Sequence, residues 1–209
     1  MKNHTYSLGP AAGIGSWTEA SEIDGHPVPA VFAAPPEPAL GVLVHSRRDR
    51  EVAATTWLVL AASHSEKARR EWSSFGLALL RCGVLFSAVR IPATLIYAAA
   101  GTEEPDAVRG FLAEVLDGGP VFHDVGGRQF YALTPASTPR SWRFVAAECL
   151  DSDTFLGVPA TDLTEFAPQY PAYWVVPMDG PGSLCAPADV ARLVLIGYRA
   201  AQKNAEVAR

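Results

Sequence analysis

The chain has 209 residues, of which 49% are hydrophobic and 19% charged, with a formal net charge of -5. That apolar share supports a core and excludes a fully disordered chain, and no run approaches the roughly 18 uninterrupted apolar residues of a membrane-spanning helix. The negative balance argues against strong general affinity for nucleic acid, and Cys82, Cys149 and Cys185 lie far apart with no C-x-x-C pair, against a disulfide framework or a zinc knuckle.

Met1-Lys2-Asn3-His4-Thr5 has no charged-then-apolar leader, so a cytoplasmic location and no membrane contact are expected. Residues 1–27 are rich in Gly, Ser and Ala and are expected to be loosely structured. Gly13-Ile14-Gly15 lacks the preceding strand and following helix that a phosphate loop needs. Residues 28–209 are expected to form a single domain. Val28–Ala33 and Leu40–His45 flank the stiff Pro35-Pro36-Glu37-Pro38 and suit a hairpin.

Val52–Ala62 follows a charged break and carries Thr55, Thr56, Trp57 and Val59, which predicts a strand. Ser63-His64-Ser65-Glu66 has capping-box spacing, so a short polar helix is expected over Ser65–Ser73. Phe75–Leu80 and Val84–Ile91 flank Gly83 and read as two strands around a tight turn. Pro92 suits the start of a helix over Ala93–Ala100 that Gly101 stops. A second helix fits Pro105–Leu116, where Val108, Phe111, Leu112, Val115 and Leu116 recur at helical spacing before Gly118.

Gly119–Asp124 and Arg128–Thr134 form a strand pair around Gly126-Gly127. Asp153–Pro159 and Tyr173–Pro177 are two further strands. A final helix runs over Pro187–Lys203, with Val190, Leu193, Val194 and Tyr198 as its apolar stripe. The set predicts an α+β domain: a mostly antiparallel sheet with flanking helices.

Chemistry-bearing groups are sparse. His4, His26, His45, His64 and His123 form no metal-spaced pair. His123 and Asp124 are adjacent, and neighbours on a strand point to opposite faces, so they are not a base with its orienting acid; a surface or turn histidine is the expectation. No G-x-S-x-G elbow occurs. Cys82 beside Arg81 reads as a small turn residue. Asp151-Ser152-Asp153 would put two carboxylates on one strand face, but Asp and Ser favour turns. The many aromatics in proposed strands read first as core, although aromatic faces near arginine also stack bases.

The stretch from Trp72 to Val194 resembles the N-terminal domain of bifunctional DNA primase-polymerases of the archaeo-eukaryotic primase superfamily. The matching pattern is a strand, Val84 to Pro92, where the family carries acid–apolar–acid; a glycine turn into Gly126-Gly127-Arg128-Gln129-Phe130-Tyr131, where the family carries a nucleotide-contacting histidine; and Glu148 ahead of Phe155–Ala160 and Tyr173-Trp174. The resemblance implies a primase-polymerase-like fold with a metal site. Here Arg90 and Pro92 take the acid positions and Gln129 the histidine position, while Glu148 is the one matching acid, with Asp151 and Asp153 as other candidates. A guanidinium and a proline hold no Mg²⁺.

A non-catalytic module is therefore expected, with no metal and no cofactor. Its ligand residues would be Arg90, Arg128, Gln129 and Glu148, and its partners nucleic acid, a nucleotide, or a replication or mobile-element protein. The rival readings are a small-molecule enzyme using a cleft with Glu148, Asp151 and Asp153, and a protein-interaction domain without ligand. Weak phosphate contacts are expected from Arg47, Arg48, Arg50, Lys67, Arg69 and Arg70 as well as Arg90 and Arg128.

Overall fold

A computed structural model describes residues 46–207. The expected N-terminal segment, the Gly13–Gly15 loop and the Val28–His45 hairpin lie outside these described residues. Five α-helices and seven strands follow in the order α1 (Arg47–Val59), α2 (Ser65–Phe75), β1 (Leu77–Arg81), β2 (Phe86–Pro92), α3 (Ala93–Ala100), α4 (Pro105–Val115), β3 (Val121–Asp124), β4 (Gln129–Pro135), β5 (Glu148–Leu150), β6 (Phe155–Pro159), β7 (Ala172–Val176) and α5 (Pro187–Val207). The expected α+β class, with a mostly antiparallel sheet, is what the chain forms. Among the described residues no helix is long and apolar enough to cross a membrane.

The main sheet has the order β5-β2-β4-β3-β7, and β1 pairs with β6 in a second, two-stranded sheet. All pairings are antiparallel. Because strand side chains alternate between faces, the main sheet divides the core. Phe86, Ala88, Phe122, Leu133 and Trp174 face one way and pack against α1, α2 and the β1–β6 pair. Val89, Ile91, Phe130, Ala132 and Val175 face the other way and pack against α3, α4 and α5. Gly197 marks the close approach of α5 to α3, since a Cβ there would run into the Leu95 carbonyl oxygen.

Two element assignments are corrected. Residues 52–59 are helical, not a strand. A capping box starts α1: Ser46 Oγ accepts from the Asp49 backbone N–H at 3.1 Å, and the Asp49 carboxylate accepts from the Ser46 N–H at 3.0 Å. The β-branched residues are tolerated because Thr55 Oγ1 and Thr56 Oγ1 donate back to the carbonyls of Glu51 and Val52. Ala54, Leu58 and Val59 are then the buried residues of the helix.

The segments flanking Gly83 are strands, but they are not each other's partners. Gly83 takes φ 79° and its N–H donates to the Phe86 carbonyl, so the turn forms. It carries the chain from one sheet to the other: β1 pairs with β6, and β2 inserts between β4 and β5. The remaining elements fall where expected within a few residues, but the capping box expected from Ser63 and Glu66 does not form: His64 takes the N-cap position of α2 and no side chain caps it. Pro92 occupies the N-cap position of α3 without a side-chain hydrogen bond, Gly101 ends the helix at φ 71°, and Glu104 caps α4 through the Asp106 and Ala107 N–H groups.

Candidate functional site

The register brings three of the four expected ligand residues together. Arg90 on β2 stands directly opposite Glu148 on β5 and Tyr131 on β4, and Gln129 stands opposite Pro92. Arg90, Glu148 and Gln129 therefore share one face on three neighbouring strands. A single lateral row crosses the whole sheet: Glu148, Arg90, Tyr131, Phe122 and Trp174. It runs from an exposed ion pair to a buried indole. Phe122 stacks on Tyr131 at 4.9 Å and meets Trp174 edge-on at 5.4 Å. The adjacent row places Asp124 opposite Gln129.

The polar end of this face lies open. The Arg90 guanidinium donates to the Glu148 carboxylate, with the two side chains 46% and 57% exposed. Burial, then Asp124, pushes the Tyr131 phenol above its ordinary value, and Arg90 beside it opposes that shift. Asp124 is engaged in its own hairpin, where its Oδ1 accepts from the Gly127 N–H at 2.9 Å.

Arg128 is the exception. It sits in the turn before β4 at φ 52°, not in the strand. Its charge is felt by Tyr97 and His123, which belong to the opposite face of the sheet. The sequence pattern could not show this, because a left-handed residue breaks the alternation on which facing is judged.

Asp151 and Asp153 are exposed turn residues outside β6, which begins at Phe155. Asp151 Oδ1 accepts from the Ser152 N–H at 2.6 Å and its carbonyl accepts from the Thr154 N–H at 2.9 Å. Their carboxylates are not set on one strand face. The site residues do not fit a divalent cation: Arg90 and Pro92 offer no oxygen ligand, and the Glu148 carboxylate is taken by Arg90. No group of three or more His, Cys, Asp or Glu side chains gathers to hold a metal among the described residues.

His123 is buried rather than on the surface. It points away from Asp124, as strand alternation requires, and its ring lies flat on Phe130 at 4.1 Å with Tyr173 edge-on at 5.9 Å. Burial is the main cause holding this imidazole below its ordinary pKa; Asp124 opposes the shift and Arg128 adds to it. All three thiols are pushed up by burial, Cys82 to about 11 and Cys149 and Cys185 to about 12, so none is a ready nucleophile.

Sequence reasoning missed β5 and the part played by Tyr131. The available signal for the latter was the hairpin at Gly126-Gly127, but the pairing of β4 with β2 is non-local. No family model, curated protein or solved structure matches the chain.

Proposed function

We propose that this domain is a non-catalytic, primase-polymerase-like binding module whose open sheet end offers Arg90, Tyr131 and Gln129 to nucleic acid or a nucleotide. The observation that carries the reading is the exposed Arg90–Glu148 pair beside an aromatic side chain. A guanidinium meets phosphate in a bidentate manner, a tyrosine ring stacks a base, and an amide meets a polar edge. Glu148 competes with phosphate for Arg90, and Asp124 lies in the next row, so binding is weak and suppressed by salt. With Arg90 and Pro92 in the acid positions, no metal-assisted step is assigned to the site.

Single-stranded DNA binding by the full chain and by Arg90→Ala, in low and moderate salt, tests this reading. Weaker binding and a flatter salt response in the variant support it. Unchanged binding in the variant places the contact elsewhere.

A second reading is a protein-docking domain. Leu79 and Phe155 lie on the outer face of the β1–β6 pair and are 50% and 54% exposed. No DNA binding even in low salt favours this reading over the first.

A further inference from the structure

On the sheet face opposite Arg90, a cavity of about 250 Å³ opens between α3, the start of α4, β3, β4, β7 and the loop before β7. The aromatic rings in its lining meet as corners. Tyr97 meets Phe130 at 89°, His123 meets Tyr173 at 66°, and Phe166 meets Tyr173 at 68°. The parallel pair among them, His123 on Phe130, is already in contact at 4.1 Å and leaves no slot for a flat ring. Rings set at such angles enclose a rounded group rather than clamp a planar one. Phe166 is 56% exposed, so a bound group that covers it removes apolar surface from water.

The charge around this lining is negative first. Among the described residues, Glu103 is the charged group that lines the cavity, and it is exposed and enters no salt bridge. At Tyr97 the charge of Glu103 acts more strongly than that of Arg128, and at His123 the charge of Asp124 does. Arg109 acts on Tyr173 from outside the lining, where its Nη2 donates to the Thr164 carbonyl at 3.1 Å. Burial holds His123 below its ordinary pKa, so at neutral pH that wall carries no charge. Its Nε2 is sealed from the cavity, and the ring serves as apolar wall.

We infer that this cavity binds a small quaternary ammonium ion, its methyl groups against the rings of Tyr97, Tyr173 and Phe166 and its charge toward the Glu103 carboxylate. Such an ion carries its charge on a rounded, apolar surface that makes no hydrogen bonds, which matches walls that offer ring faces and edges and a single carboxylate. The volume of about 250 Å³ lies below the roughly 300–1,000 Å³ of pockets for drug-sized ligands, which suits a trimethylammonium head with a short tail. The site lies on the other side of the sheet from Arg90 and does not depend on binding there.

The test is titration of the full chain with choline and with dimethylbutanol, its isostere in which carbon replaces the charged nitrogen, followed by ligand-observed NMR. Choline should bind about tenfold more tightly than the isostere, because only the cation gains from the ring quadrupoles and the carboxylate. Phe166→Ala and Glu103→Gln alter exposed positions and leave the core intact. The first should weaken choline binding about fivefold. The second should weaken it about threefold in low salt and less in high salt, without change for the isostere. Failure of choline to bind, equal affinity for the isostere, or choline binding unchanged in either variant would each overturn the assignment.

Discussion

Arg90 and Glu148 occupy facing positions on β2 and β5, and the guanidinium donates to the carboxylate at the open end of the sheet. The pair holds a cation on an otherwise acidic protein and neutralises it at the same time. Exposed pairs of this kind contribute only about 0–1 kcal/mol. Arg90→Ala should therefore leave the thermal midpoint within a few degrees of wild type. A large loss in a melting experiment would show that Arg90 has a structural role.

The purified protein should incorporate no nucleotide with Mg²⁺ or Mn²⁺ in a primer-synthesis or extension assay. Arg90 and Pro92 stand where the resemblance implies acids. Template-dependent product that disappears in Glu148→Ala would overturn the non-catalytic reading.

The α3–α5 crossing depends on Gly197, because a side chain there meets the Leu95 carbonyl and not a movable side chain. Gly197→Ala should destabilise the fold by about 1–3 kcal/mol, the range for overpacking a close contact. Chemical unfolding measures this directly. An unchanged midpoint would mean that the helices separate at little cost.

How much of this was legible in the sequence divides by range. The helices α2 to α5 and the β3–β4 hairpin announce themselves through proline starts, glycines and helical or alternating spacing, all of which are local, although the capping box read at Ser63 and Glu66 does not form. Val52–Ala62 misled because Thr55, Thr56 and Val59 favour strands as isolated residues. The deciding signal was Ser46 with Asp49, which caps a helix just upstream. Gly83 announced a turn correctly, but a turn does not specify which strands pair. The partners of β1 and β2 come from distant segments, and their pairing follows from how the two apolar faces are buried. The site was legible in the same degree. Arg90, Gln129 and Glu148 share a face as the pattern implied, whereas Arg128 was lost to a left-handed turn and His123 to burial.

Stability should fall as the solution is acidified through the titration of His123. Its folded pKa lies below the ordinary value, with burial the main cause. The unfolded chain then binds more protons in acid, so the contribution is complete above about pH 6.5 and is lost as pH falls through the folded value. His123→Phe should flatten that limb of an unfolding free energy measured between about pH 7.5 and 5. An equally steep limb in the variant would assign the effect to other groups.

The thiols behave in the opposite direction. Their folded values are raised to about 11 for Cys82 and about 12 for Cys149 and Cys185, chiefly by burial. Their contribution is complete below the ordinary value of 9.0 and is lost as pH rises toward the folded values. In native protein at about pH 8, alkylation should be slow at all three, with the half-buried Cys149 the fastest, and unfolding should make them equivalent. Rapid native labelling of Cys82 or Cys185 would contradict their burial.

The central claim is that Arg90 is a phosphate-binding group restrained by Glu148. Single-strand binding by Glu148→Gln, compared with wild type and Arg90→Ala across a salt series, tests it most directly. Releasing the guanidinium should tighten binding in low salt, while Arg90→Ala should weaken it and reduce the salt slope by about one unit. Equal affinities and equal slopes for all three proteins would contradict the account.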